Sequence, residues 1–239
     1  MTENSGYFIQ SLYLIVSFNR DLMEIIGLSL YVSLTALFLA ALIGLPVGSL
    51  LATQKFPGSN LLSIIINAFM GLPPVVAGLI VYMILSRSGP LGLLGLLYTP
   101  EAMIIAQCIL IFPILAALSR QIIEEMNNEY NELFSSLKLS SAKRIKTLLW
   151  ESRVSLLTVL LAGFGRAIAE VGAVMIVGGN IEHSTRTMTT SIQMEIGKGN
   201  LELAMALGII LLILSLSINI LMHLIKSHYQ KTQGGFRDE

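Results

Sequence analysis

The sequence predicts an all-α membrane protein with five transmembrane helices, a short N-terminal interfacial helix and one long polar loop. Composition is the first reason. The 239 residues are 54% hydrophobic and 13% charged, with a mean hydropathy of +0.75, whereas soluble domains carry about 25% charged residues. Continuity is the second. Ile25 to Gln54 and Phe56 to Ser86 contain no charged side chain, and a bilayer-crossing helix needs ~20 apolar residues. The third is the interruption: a polar insert from Arg120 to Arg153 holds six of the fifteen Lys and Arg residues.

Taken in order, residues 1–24 form an external or interfacial segment. Its apolar stretch, Tyr7 to Phe18, has no Lys or Arg before it and no small-residue cleavage site, so it makes a poor signal peptide. It is also too short to span, which leaves an interfacial helix. The transmembrane region, 25–224, holds spans at about Ile25–Ala52, Leu61–Leu85, Ala102–Leu118, Val154–Val177 and Ala204–Leu224. Residues 225–239 form a short tail.

Three spans carry proline: Pro46, the pair Pro73-Pro74, and Pro113. Proline removes a helix donor, and in lipid the freed carbonyls need protein or water partners. Each break is therefore a packing kink or part of a lined path, and the adjacent pair favours a lined cavity. No repeat relates the two halves, which argues against an inverted-repeat carrier.

Lys and Arg set the orientation. With the N-terminus outside, the inner segments hold Lys55, the six in the insert, Lys226, Lys231 and Arg237; the outer ones hold Arg20, Arg87, Arg186 and Lys198. That excess places the C-terminus and the insert (120–153) in the cytoplasm. Trp150, Tyr98 and Tyr229 fall near the expected interfaces, where such rings are favoured.

Net charge is zero, so nucleic acid is not an expected partner. Cys108 lies in an apolar run as a small hydrophobe. His183, His223 and His228 show no metal-ligand spacing, and no cofactor is expected.

Within the insert, Gln121 to Tyr130 reads as a helix continuing out of the third span, and Ala142 to Trp150 as a helix returning to the membrane. Between them Leu133, Phe134 and Leu137 share a face at helical spacing. Such a ridge either packs on this chain's own helix ends or fills a groove on a partner protein.

The insert resembles the coupling loop of permease subunits of ATP-binding-cassette importers of the type I, binding-protein-dependent class. Glu132 matches the Glu of that family's Glu-Ala-Ala pattern; Leu133 and Phe134 replace the two Ala, Lys138 replaces a Gly, and Leu149-Trp150 stands nearest its Leu-Pro. A non-glycine residue holds the turn at 138 if it avoids positive φ. Longer segments are more specific. Gly71-Leu72-Pro73-Pro74-Val75-Val76-Ala77-Gly78, Ser88-Gly89-Pro90-Leu91-Gly92, and Gly163 to Ala173 with Gly178-Gly179-Asn180-Ile181 resemble permeases for molybdate, tungstate and sulfate, with tungstate permeases nearest. The resemblance covers about residues 25–224.

It implies a type I ABC importer permease fold in a prokaryotic cell (inner) membrane, and a homodimer lining a path at its two-fold axis. A cytoplasmic ATPase would dock on the coupling loops, through Glu132, Leu133, Phe134, Leu137 and Lys138. An oxyanion-binding protein would dock outside, where the loop 178–200 offers Asn180, Arg186 and a short helix at Thr189–Ile196, or is simply a surface loop. The chain lacks a Gly-x-x-x-x-Gly-Lys-Ser/Thr motif, so it is not expected to be an enzyme and ATP hydrolysis falls to a partner.

Arg166 and Glu170 stand four apart in the fourth span. A lone charge at mid-span costs ~2.5–3.5 kcal/mol, so the two should pair inside the bundle. The pair either bolts the span to its neighbours or lies near the path with Pro73 and Pro74, Arg166 attracting an oxyanion in transit and Glu170 preventing a trap. Gly163, Gly165 and Gly172 permit close helix approach. A competing reading makes the pair the centre of an ion-coupled carrier or an intramembrane enzyme. Against it, the spans contain no evident nucleophile–base pair or metal cluster. Molybdate, sulfate, phosphate or another oxyanion remains an alternative substrate.

Overall fold

A computed structural model describes residues 13–17 and 20–234, with side chains as far as Ser227. Residues 13–16 are helical; the rest of the expected interfacial helix, and Tyr229 and His228 as side chains, lie outside the described residues. Ten α-helices follow among the described residues: α1 (Arg20–Thr53), α2 (Ser59–Phe69), α3 (Pro74–Leu85), α4 (Pro100–Glu129), α5 (Asn131–Ser136), α6 (Ser141–Glu151), α7 (Arg153–Ile168), α8 (Gly172–Gly178), α9 (Met188–Lys198) and α10 (Leu201–Gly234), with a 3-10 turn at Gly92–Leu94.

Helices α1, α4 and α10 are long and apolar enough to cross a membrane. Two broken pairs, α2 with α3 and α6 with α7, raise the number to five if each pair is one span. Helix α4 runs unbroken past Arg120 to Glu129, as expected for a span that continues into the insert. Two of the expected spans are not single helices. The second stops at Phe69 and restarts at Pro74. Pro74 occupies the first helical position and Pro73 the extended N-cap (φ −62°, ψ 128°), so neither removes a donor from a helix interior; Pro at N1 replaces an N–H that would be orphaned anyway. The fourth span ends at Ile168 and resumes at Gly172, and α7 meets α6 at 75°.

The chain forms two compact units. One comprises Met1–Ala36, Pro73–Cys108 and Gly165–Ser217. Its interior includes Leu22, Val32, Val81, Met103, Val174, Val177, Met188 and Leu207. Helices α3 and α8 pack backbone to backbone: a Cβ on Gly78 would stand 2.7 Å from the Ala173 Cα, and one on Gly172 would stand 3.0 Å from a Val75 methyl.

The other comprises Leu37–Leu72, Ile109–Phe164 and Ile218–Glu239. Here Gly44 and Gly48 face α4, where a Cβ at Gly44 would touch that of Leu115 at 3.1 Å and one at Gly48 would meet the Ser119 hydroxyl and the Ala116 carbonyl. This small-xxx-small spacing lets helices approach closely where lipid supplies no hydrophobic drive between them. Leu51, Ile66 and Ala116 form one buried cluster with Val47 and Phe112 around it. Ile123, Phe134 and Leu148 form a second, inside the insert. Large apolar side chains remain exposed along α10, among them Leu212, Leu216 and Leu224, as a lipid-facing helix requires.

Candidate functional site

The break after α7 is built around Glu170. Its side chain is 2% exposed and that of Arg166 is 31% exposed, and the two pair at 2.8 Å (Nη1–Oε2). The other carboxylate oxygen accepts the Ala173 N–H at 3.0 Å, satisfying an orphan donor in the first turn of α8. The main chain of the elbow is held from elsewhere: the Thr189 hydroxyl donates to the Glu170 carbonyl at 2.7 Å, and the Gln107 amide donates to the Ala167 carbonyl at 3.0 Å. Carbonyls released where the helix ends thus find side-chain partners on α9 and α4, which is the condition for broken helices at membrane depth.

Sequence reasoning paired Arg166 with Glu170 on one continuous helix. The pair exists, but it bridges a helix end instead of decorating a helix face. Gln107 and Thr189 were not singled out. Gln107 had a signal: it is the one amide in the apolar run from Ala102 to Leu118. Thr189 had none, because its partner is a main-chain carbonyl nineteen residues away. The Gln107 Oε1 and the Ser191 hydroxyl are buried without a partner.

The insert folds around its own core. Phe134 is 5% exposed, whereas Leu133 is 51% and Leu137 60% exposed. The expected three-residue ridge is therefore split: Phe134 packs with Ile123 and Leu148 and stacks on Tyr130, leaving Leu133 and Leu137, one turn apart, facing outward. Arg144 clamps the arrangement, donating to Asn127 at 2.6 Å and Asn131 at 2.9 Å, with its guanidinium 5.3 Å above the Phe134 ring.

Helix α5 ends in a Schellman motif. The Leu139 N–H reaches the Phe134 carbonyl and the Lys138 N–H the Ser135 carbonyl, both at 3.2 Å, and Leu139 packs on the Phe134 cluster, the accompanying apolar contact of that motif. Lys138 holds the left-handed position at φ 47°. The condition stated for a non-glycine residue here, avoidance of positive φ, is not met: Lys138 takes the left-handed turn that glycine makes most easily, and the bonds around it fix that turn.

The segment 178–200, expected outside, is packed rather than loose. Helix α9 covers the expected short helix, and Met188, Thr189, Thr190, Ser191 and Glu195 on it are buried. Thr187 and Thr190 form its capping box, and the Met188 N–H donates to Ser29 on α1 at 2.8 Å. Asn180 adopts φ 49° and its amide contacts the Met194 sulfur at 3.2 Å. Arg186 is held by Glu182 at 2.9 Å. The segment's exposed stretches include Ile181 to Ser184 and Ile196 to Asn200.

His183 meets Glu24 at 2.9 Å. With Asp21 they bring three exposed ligand-type atoms within 4.8 Å of one another, a grouping that no sequence spacing signals. The Glu24 carboxylate, through its hydrogen bond and its charge, raises the His183 pKa above its ordinary value, with Glu182 and Asp21 adding to the effect.

Relatives identify the family. Residues 44–231 match the family model for the binding-protein-dependent transport system inner membrane component. The chain belongs to this family. It is 43% identical over 185 residues, 75% of this chain and 80% of the relative, to a probable anion ABC transporter permease protein of Haloferax volcanii. It is 38% identical over 219 residues, 92% of both chains, to the tungstate uptake system permease protein of Campylobacter jejuni. A sulfate transport system permease protein of Synechococcus elongatus is 28% identical over 182 residues, 73% of this chain and 64% of that one. The fold is therefore that of an ABC importer permease, and the chain is a transport subunit.

Proposed function

We propose that this permease imports an oxyanion, that the oxyanion is tungstate, and that ATP hydrolysis on a separate cytoplasmic subunit drives it. The observation that carries the substrate is the 38% identity to a tungstate permease along 92% of both chains, against 28% to a sulfate permease. In this reading the N-terminus is outside and the insert cytoplasmic, and two copies line the path.

The insert supports the coupling role. Its rigid Phe134 core and Arg144 clamp present Leu133 and Leu137 with Glu132 and Lys138 on a short helix, a shape that fits an apolar groove on an ATPase. Closure of an ATPase dimer would draw two such helices together and turn the spans outward toward a loaded binding protein, which docks against the loop carrying Asn180 and Arg186. The Arg166–Glu170 elbow, with Pro73 and Pro74 at the start of α3, is the element that such motion must carry intact.

The test is uptake of tungstate and molybdate, each at low concentration, by cells lacking the chain and by cells with it restored. Selective loss of tungstate uptake is the expected result. Unchanged uptake of both moves the substrate to another oxyanion, and uptake that persists after ATP depletion under a maintained proton gradient refutes the ATP-driven reading.

A further inference from the structure

At the α6–α7 elbow a groove of about 500 Å³ runs between α1 and α7. Phe38, Leu42 and Leu45 wall it on α1, Leu156 and Leu160 on α7, and Arg153 is its one charged lining residue. The walls from Arg153 to Leu160 and from Leu45 to Phe38 each extend about 10.5 Å at ~1.5 Å per residue, within the ~15 Å of one leaflet's share of the hydrocarbon core.

Arg153 lies at the end where α7 begins. Its guanidinium stands 4.7 Å from the centre of the Trp150 ring and donates to the Trp150 carbonyl at 2.6 Å. Trp150 is 66% exposed, an amphipathic ring of the kind favoured at the headgroup level. Lys143, Lys146 and Trp150 follow one another at helical spacing along α6, and both lysines are exposed, while Glu151 is the acidic residue of that helix. The groove is thus apolar along its length, cationic at its mouth, and marked by an interfacial aromatic at the same end.

We infer that this groove holds one anionic phospholipid of the inner leaflet, its phosphate at Arg153 with Lys146 nearby and an acyl chain lying along Phe38, Leu42 and Leu45. A guanidinium has five N–H donors and binds phosphate in a forked geometry, so a phosphate can join the partners Arg153 already has, the Trp150 carbonyl among them. A second copy of a helix would answer the apolar walls but not the cationic mouth; a glycerophosphate with its acyl chain answers both. The leaflet assignment rests on the proposed orientation. The binding itself does not.

Trp150 is the sole tryptophan of the chain and makes the test direct. The full chain is reconstituted in phosphatidylcholine vesicles containing brominated phosphatidylglycerol or brominated phosphatidylcholine, and quenching of its fluorescence is followed against mole fraction. One basic residue near the surface contributes ~1 kcal/mol toward anionic lipid, so half-maximal quenching is expected at about five-fold lower mole fraction for the anionic lipid. R153Q should erase most of that preference, R153K should keep it, and millimolar inorganic phosphate should leave it unchanged. Equal quenching by the two lipids, quenching by neither, an unaltered preference in R153Q, or loss of preference on adding phosphate each overturns the inference. No partner subunit and no uptake enter the readout, so its failure leaves the importer reading standing.

Discussion

Replacing Arg166 by methionine removes the cation from a carboxylate that is 2% exposed while leaving the Ala173 N–H bond in place. Breaking a buried ion pair from one side typically costs about 3–5 kcal/mol, because the remaining charge stays desolvated. Arg166 is itself 31% exposed, so water screens part of the attraction and the lower end, ~3 kcal/mol, applies. At about 2–4 °C per kcal/mol for a chain of this size, R166M should melt about 6–12 °C lower. The double variant R166M/E170Q keeps an acceptor for the Ala173 N–H and removes both charges, so it should regain most of that loss. The assay is thermal denaturation followed by size-exclusion fluorescence on the purified parent, R166M, E170Q and R166M/E170Q proteins, with tungstate uptake measured on the same four. The two readings of the pair then separate. If it only holds the elbow together, the double variant recovers stability and uptake in step. If Arg166 also attracts the oxyanion, stability returns and uptake does not. An R166M protein within ~2 °C of the parent, or an E170Q change simply additive with R166M, would refute the claim that a buried carboxylate depends on this arginine.

Phe134→Asp should collapse the insert, since truncating a buried Phe alone costs about 3–5 kcal/mol, whereas Leu133→Asp or Leu137→Asp should leave melting unchanged and abolish ATPase co-purification; normal association in both of the latter would refute the docking face. Lys138→Gly should raise stability by about 0.5–1 kcal/mol, because a non-glycine residue in the left-handed region costs ~1–2 kcal/mol and glycine's greater unfolded freedom offsets part of the gain; a lower melting temperature would show that the turn does not need that conformation. Gly78→Leu should fail to insert stably, as its Cβ alone would approach the Ala173 Cα to 2.7 Å; normal expression and uptake would contradict the α3–α8 packing. His183 bonded to Glu24 has a raised pKa, so its contribution is complete below about 6.5 and is lost as pH rises through the raised folded value; amide protection of residues 179–187 should fall between pH 6 and pH 8, and E24Q should erase that difference.

Charge-free length was enough to read α1, α4 and α10 from the sequence, because a long apolar run in lipid has little alternative to helix. It was not enough to read where a span breaks. Both continuous and broken helices bury the same apolar residues, so hydropathy is blind to the carbonyls at the end of α7, those of Ala167 and Glu170 among them. What decides the break is whether partners exist for those groups, and they come from Gln107 and Thr189, on other helices. Proline signalled the other break, yet its meaning changed with register: at N1 of α3, Pro74 starts a helix rather than kinking one.

The insert shows the same limit at smaller scale. In a six-residue helix, apolar residues at 133, 134 and 137 fit one face by spacing alone. Only the return of Leu148 and Arg144 on α6 settles that Phe134 turns inward. That inward turn fixes the outward face: a helix held by its own core, with a lysine locked in a left-handed turn, would transmit a push from the proposed ATPase instead of yielding to it. If the insert couples as proposed, the residues that carry the motion include Phe134 and Arg144 in its core as much as the exposed Leu133 and Leu137.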